Sequence, residues 1–95
     1  MISKRELVAK SEKFGDARVA VQTWLEIATQ ANWGSLEDIR KVFPSADMIG
    51  KIAIFNIRGN SYRLIARVEF AGRRIYIKEF LTHAEYSKEA WKKWL

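Results

Sequence analysis

The spacing of apolar residues changes from helical to strand-like about half-way along this chain. Apolar side chains recur every three or four positions within residues 3–43, whereas residues 62–70 alternate between two faces. The first spacing is that of amphipathic helices, and the second is that of a strand with one buried face. Because 95 residues suffice for one hydrophobic core, residues 1–95 are predicted to form a single domain in which helices precede strands.

Local signals place the ends of three predicted helices. A Ser-x-x-Glu pattern makes Ser3 the N-cap of the first helix, and Gly15 ends that helix. Asp16 is expected to start the second helix and Ser35 the third, because both residue types cap helix N-termini. Pro44 cannot continue a helix and is expected to close the third one.

The second half of the chain predicts strands and a final helix. Three strand-like runs are separated by Gly-containing turns, and they span residues 52–57, 62–70 and 75–81. Thr82 then opens a helix through a Thr-x-x-Glu capping box, and we expect this helix to run to about Lys93. The predicted fold class is α+β, with N-terminal helices packed on a small antiparallel β-sheet of about three strands and a C-terminal helix.

Basic residues are predicted on the face of the sheet that the N-terminal helices leave open. Alternation places Arg63 and Arg67 on the outward face of the second strand and Lys78 on that face of the third. Directly opposed side chains on neighbouring strands stand about 5 Å apart, so Arg63 and Lys78 could touch one phosphate. On the third strand, three residues are expected to face the core, namely Ile75, Ile77 and Leu81. The other three are expected to face outward, namely Tyr76, Lys78 and Phe80.

The basic excess of the chain lies in the same region. The formal net charge is +6, and residues 58–95 hold nine Lys or Arg against four Asp or Glu. This asymmetry favours a polyanionic partner, although a solvated basic surface would give the same counts. Aromatic side chains among the cations favour RNA, whose unstacked bases pack on rings. The predicted RNA-binding residues are Arg58, Arg67, Arg73, Arg74 and Tyr76.

The single histidine lies where a proton-transfer group could work. His83 follows the predicted N-cap Thr82, and the helix dipole disfavours imidazolium at that position. A neutral imidazole can act as a general base, and Tyr86 shares its helical face. The alternative is that His83 only begins a helix and Tyr86 packs into the core. RNA supplies its own 2′-OH nucleophile, so a base, an acid and cations would suffice for cleavage.

No metal or cofactor is expected in this chemistry. The sequence has no cysteine and one histidine, and the acidic residues of its last third are scattered. We find no P-loop, nucleophile elbow or dinucleotide fingerprint. No apolar run reaches the roughly 20 residues of a membrane span and no signal peptide is recognisable, so we expect a cytoplasmic protein without a membrane partner.

Four motifs together resemble the HigB toxins of bacterial toxin–antitoxin systems, within the wider RelE-like group. They are VFPS at 42–45, FNIxGNxYRLI at 55–65, YIK at 76–78 and THxEY at 82–86. The resemblance implies a RelE-like fold and an mRNA interferase, an endoribonuclease that cuts mRNA, often during translation on the ribosome. It also implies a cognate HigA-type antitoxin with a helix-turn-helix domain, in a complex that could be heterotetrameric.

Position by position, the resemblance also implies which residues act on RNA. It places Arg63 on the RNA phosphate, and the implied catalytic set is Arg63, His83, Tyr86 and Lys78. The alternative function on the same fold is a non-catalytic module that grips RNA or the ribosome without cutting.

Two further alternatives are disfavoured by where the residues lie. A helix-turn-helix DNA regulator would concentrate basic residues on a recognition helix, whereas many lie on predicted strands here. A structural interaction protein could dock through its final helix. We expect instead that Trp91 packs on the sheet while the neighbouring cations face solvent, namely Lys88, Lys92 and Lys93.

Overall fold

A computed structural model describes residues 4–59 and 61–95 of the chain. The predicted N-cap Ser3 and the turn residue Asn60 lie outside the described residues. Within the described ranges the helices are α1 (Lys4–Ser11), α2 (Arg18–Gln30), α3 (Leu36–Val42) and α4 (His83–Ser87). The strands are β1 (Asp47–Ile49), β2 (Ile52–Ile57), β3 (Tyr62–Glu69) and β4 (Arg74–Thr82), and 3₁₀ turns lie at Gly15–Ala17 and Ala90–Trp94.

The four strands form one antiparallel sheet in the order β1-β2-β3-β4. The α+β prediction is confirmed, but the expected number of about three strands was too low. The missed strand is β1, which pairs only Asp47 to Ile49 with β2. A run of three residues is too short to show the alternation by which strands are found in a sequence.

The helix boundaries follow the predicted caps in part. The Ser35 hydroxyl accepts a hydrogen bond from the backbone N–H of Asp38, as expected of an N-cap, and α3 ends at Val42 before Pro44. The segment that begins at Asp16 is different. It forms the 3₁₀ turn Gly15–Ala17, and α2 begins only at Arg18 without a side-chain cap.

One face of the sheet, called the helix face below, packs against the helices. Phe55 of β2 is fully buried there, with ring centres of Trp24 and Phe43 at 5.2 and 5.5 Å. Trp33 stacks on the same ring at 6.1 Å. Burying a side chain of this size contributes about 2–3 kcal/mol, so this aromatic cluster is a main anchor of the fold.

The opposite face, called the open face below, carries a smaller cluster. Ile52, Ile54 and Ile65 are buried on it beneath Trp91. Trp91 therefore packs on the sheet, as the sequence predicts, and the three lysines around it are exposed, namely Lys88, Lys92 and Lys93. The segment that carries Trp91 is not the predicted helix to Lys93. Helix α4 ends at Ser87, and Glu89 then adopts a left-handed conformation (φ +62°) that redirects the chain into the 3₁₀ turn Ala90–Trp94.

A bulge in β4 corrects the predicted faces of that strand. Ile77 pairs with Ala66 whereas Glu79 pairs with Ile65, so one extra residue lies between them on β4. The inward and outward positions exchange beyond this point. Phe80 packs in the helix-side core and Leu81 contacts the open-face cluster, the reverse of the expectation from strict alternation.

Candidate active site on the open face

Arg63 is held on the open face by a stack of aromatic rings. Its side chain is 9% exposed, and its guanidinium lies 5.2 Å from the ring centre of Tyr86. The ring of Tyr86 stacks nearly parallel on Trp91 at 5.1 Å, and Trp91 Nε1 donates to the Tyr86 carbonyl at 3.1 Å. The guanidinium also donates to the Tyr62 carbonyl at 3.1 Å. These contacts fix a cation in place before any ligand arrives.

Helix α4 begins beside Arg63 because its cap is part of the sheet. Thr82 pairs with Tyr62 on β3, the residue before Arg63. The Thr82 hydroxyl accepts from the Glu85 backbone N–H at 3.1 Å, and the Glu85 carboxylate accepts from the Thr82 N–H at 3.0 Å. The predicted capping box is therefore present. That hydrogen bond from the Thr82 backbone is the main reason why the pKa of Glu85 lies below its ordinary value.

His83 is the first residue of α4 and its side chain is exposed. Its backbone N–H donates to the Ser61 carbonyl at 3.1 Å, which ties the helix start to the β2–β3 turn. Tyr86 lies three residues further along the same helix, on the side that meets Arg63. The structure thus places Tyr86 against Arg63, and the backbone of His83 lies at the same end of the sheet.

A polar contact on the helix face fixes the same end of β3. The hydroxyl of Tyr62 donates to Asp16, which also pairs with Arg58 at 3.0 Å. The hydrogen bond to Asp16 raises the pKa of Tyr62, because it stabilises the protonated phenol. Arg58, a predicted RNA-binding residue, is therefore engaged with a carboxylate from the helical layer.

Lys78 does not lie opposite Arg63. The strand partner of Arg63 is Leu81, and Lys78 is the additional residue in the β4 bulge. The three intervening steps place it about 10 Å along the strand from that partner. Its ammonium group lies instead 5.0 Å from the ring centre of Trp94 and 5.9 Å from that of Tyr76.

The other predicted RNA-binding residues follow the sheet away from this end. Arg67 is paired across the strands with Tyr76, and its Nε lies 3.3 Å from a carboxylate oxygen of Glu69. Arg73 and Arg74 lie at the β3–β4 turn, where Arg74 pairs with Glu69. Arg63 and Glu69 are six positions apart on β3, a distance of about 20 Å. The basic residues therefore line a long face of the sheet and do not surround one point.

Residues 4–59 and 61–95 show neither a metal-ligand cluster nor a membrane-spanning helix. No three histidine or acidic side chains in these ranges come close enough together to hold a metal ion. No helix in them is both long and apolar enough to cross a membrane.

The chain matches a known family over residues 17–89. The matching family is that of the HigB toxins, described as the RelE-like toxic component of a toxin–antitoxin system. The match includes all four strands, α4 and the residues Arg63, His83 and Tyr86.

This chain belongs to the HigB toxin family.

Curated relatives carry names from the same family. The chain is 29% identical over 89 residues to the mRNA interferase toxin HigB of Escherichia coli strain K12, covering 90% of this chain and 86% of that protein. It is 26% identical over 91 residues to the mRNA interferase HigB of Escherichia coli O6:H1, covering 93% and 88%. The mRNA interferase HigB of Shigella flexneri is also 29% identical, with the coverage of the K12 protein.

Sequence reasoning missed the residues that position the site in this HigB-family chain. The sequence predicts that Trp91 packs on the sheet. It does not predict that Trp91 stacks on Tyr86, whose ring in turn contacts Arg63. The sequence identifies Asp16 only as a helix cap, whereas in the structure its side chain binds Tyr62 and Arg58. Trp91 follows Tyr86 by five positions in the sequence. The two rings can stack because Glu89, between them, adopts a left-handed conformation that redirects the chain.

Proposed function

We propose that this chain is an mRNA interferase, an endoribonuclease that cuts mRNA by attack of the 2′-OH on the adjacent phosphate. One observation carries the proposal: a chain of the HigB toxin family holds Arg63 against Tyr86 at the end of the sheet where His83 begins α4. The names of the curated relatives support the same activity.

Arg63 is suited to the charge that develops during cleavage. Attack of the 2′-oxygen on phosphorus gives a pentavalent state with additional negative charge on the phosphoryl oxygens. A guanidinium that is already fixed by Tyr86 and largely removed from water stabilises this charge without having to reorganise. In our proposal the scissile phosphate lies beside Arg63 and the exposed His83.

His83 and Tyr86 are the candidates for proton transfer. One group removes the proton from the 2′-OH, and another protonates the 5′-oxygen as the P–O bond breaks. The products are then a 2′,3′-cyclic phosphate and a free 5′-OH, with all protons accounted for. In our proposal this chemistry requires no metal, because the 2′-OH is the nucleophile and side chains carry the protons.

The remaining predicted residues would bind RNA along the sheet. Lys78 and Tyr76 lie nearer the start of β4, whereas the proposed reacting groups lie beyond its other end. We therefore assign these two residues to the RNA outside the scissile bond. The other cations on this side would meet the RNA backbone, namely Arg67, Arg73 and Arg74. Arg58 would join them only after leaving Asp16.

Toxins of this family act with an antitoxin, and the partners follow from that. We propose that a HigA-type antitoxin with a helix-turn-helix domain binds and silences the chain, as a heterotetramer. We further propose that cleavage takes place in the cytoplasm on mRNA engaged by the ribosome.

The test is cleavage by purified protein and in cells after induced expression, read by mapping RNA 5′ ends. We expect His83→Ala to lower the cleavage rate about 100-fold, because a general acid–base group is lost. Tyr86→Phe keeps the ring that stacks on Trp91 and Arg63 but removes the hydroxyl, so it separates proton transfer from packing. Lys88→Ala, on the exposed residue after α4, is the matched control and should cut normally.

Two further measurements define the mechanism. Cleavage should persist in EDTA and should stop when the nucleotide 5′ of the cut carries a 2′-deoxy sugar. If His83→Ala and Tyr86→Phe both cut like the wild type, the proton-transfer proposal is wrong. If the wild type binds RNA or ribosomes tightly but produces no new 5′ ends, the chain is a binding module of the same fold.

A further inference from the structure

Two lysines and two aromatic rings form a cluster on β4 and the C-terminal turn. Lys78 Nζ lies 5.0 Å from the ring centre of Trp94 and 5.9 Å from that of Tyr76, and Lys93 Nζ lies 5.4 Å from Trp94. Both rings remain partly exposed, Trp94 at 38% and Tyr76 at 36%. These four residues are called the Trp94 cluster below.

The lysines of the Trp94 cluster have no carboxylate partner within residues 4–59 and 61–95. The ion pairs described there engage other cations, namely Arg40, Lys41, Arg58, Arg67 and Lys92. Lys92 lies directly beside Lys93 and pairs with Glu89 at 3.1 Å, so two neighbouring lysines differ in their charge environment. The ammonium groups of Lys78 and Lys93 are thus available to an external anion.

The backbone fixes the position of Trp94. In a 3₁₀ turn, residues three positions apart project in the same direction, and Trp91 and Trp94 have this spacing within Ala90–Trp94. Trp91 is 3% exposed and anchored on the sheet, and it therefore sets Trp94 beside β4. The exposed ring is held in place, which lowers the entropy cost of stacking a ligand on it.

Exposed aromatic rings with adjacent cations match one nucleotide of single-stranded RNA. A base stacks on the ring, and an ammonium group contacts the phosphate beside it. Stacking of a base on an aromatic side chain is stronger than an exposed contact between a lysine and a ring. A base can therefore replace Lys78 or Lys93 on the Trp94 ring while the displaced ammonium moves to the phosphate.

We propose that the Trp94 cluster is a nucleotide-binding subsite for single-stranded RNA, outside the scissile phosphodiester. The inference rests on the proposed endoribonuclease activity and deepens it. The strand register places Lys78 about 10 Å along β4 from the partner of Arg63, and its ammonium group lies against Trp94 whereas the guanidinium of Arg63 lies against Tyr86. Lys78 and Lys93 therefore contact a flanking phosphate, and Trp94 stacks the base next to it.

The experiment uses a six-nucleotide RNA that carries 2′-O-methyl groups at every position and so cannot be cut. Trp24, Trp33 and Trp91 are buried, so stacking on Trp94 should appear as saturable quenching of the exposed tryptophan fluorescence. By anisotropy of labelled RNA, we expect Trp94→Ala to raise the dissociation constant about 10-fold, and Trp94→Phe to raise it much less because a ring remains. Lys78→Ala should also weaken binding, and Lys92→Ala is the matched control, expected within twofold of wild type.

The possible outcomes separate this inference from the proposed function. On a cleavable RNA, Trp94→Ala should raise KM and leave kcat unchanged. Wild-type affinity in both Trp94→Ala and Lys78→Ala, or no probe binding by the wild type, overturns the subsite while cleavage at Arg63 can stand. Equal competition by an acidic peptide of the same length overturns the assignment to RNA. Probe binding that depends on Trp94 in a wild type that cuts no RNA supports the subsite and refutes the proposed enzyme.

Discussion

The two faces of the sheet are covered to very different depths. On the helix face, Phe55 is enclosed by rings from α2, from α3's end and from the loop between them, and it is fully buried. On the open face, the apolar cover consists of Trp91 on a single 3₁₀ turn, with Tyr86 and Leu81 at its side. The candidate site lies on the thinly covered face.

This difference assigns separate tasks to the aromatic residues of the two faces. Rings on the helix face contact one another and remove apolar area from water, which stabilises the fold. On the open face, the stack of Trp91 and Tyr86 ends on the guanidinium of Arg63 and so positions a cation. We therefore expect changes on the helix face to lower stability, and changes on the open face to lower activity more than stability.

The largest effect should come from Phe55→Ala on the helix face. Removing a fully buried ring from an aromatic cluster costs about 4 kcal/mol in the free energy of unfolding, because a cavity remains. Urea unfolding followed by circular dichroism measures this loss. Phe55→Leu is the control and should cost much less, since it refills part of the volume. A loss below 1 kcal/mol for the alanine variant would show that the helix-side cluster is not the main anchor.

An intermediate effect on stability is expected from Trp91→Ala on the open face. We expect a loss of about 3 kcal/mol, because the ring is buried but the segment around it can relax. RNA cleavage should fall further than the unfolded fraction explains, since Tyr86 loses its stacking partner and Arg63 its support. Trp91→Phe keeps a ring but loses the Nε1 hydrogen bond to Tyr86, and it should recover most of the activity. Activity that falls only in proportion to stability would remove the distinction between the two faces.

The smallest effect concerns the cap of α4 and depends on pH. The pKa of Glu85 is lowered in the folded protein, chiefly by the hydrogen bond from the Thr82 backbone N–H. The unfolded chain therefore binds this proton at a higher pH than the folded one. The resulting stabilisation is complete above the ordinary value of 4.5 and is lost as the pH falls below it. Glu85→Gln retains a neutral acceptor, so the stability difference from wild type should shrink on acidification. A difference that does not change from pH 7 to pH 3 would contradict this.

The predictions from sequence held where one local pattern was enough. Ser35 and Thr82 cap helices as expected, because a cap needs only residues within one turn. The two faces of β3 follow the alternation in the sequence, with Arg63 on the open face and Leu64 on the helix face. The predicted end of the last helix at Lys93 was wrong, since the helix ends at Ser87. No residue type near Glu89 in the sequence predicts its left-handed conformation.

The sequence by itself determined that helices precede strands, that the last third is basic, and which groups are candidates for proton transfer. Tertiary structure decided which of these groups meet. The register of the β3–β4 hairpin placed Leu81, and not Lys78, opposite Arg63, and the left-handed residue Glu89 brought Trp91 against the ring of Tyr86. The physical reason is range: caps and alternation act over a few neighbouring residues, whereas register and ring stacking depend on partners that become neighbours only after folding.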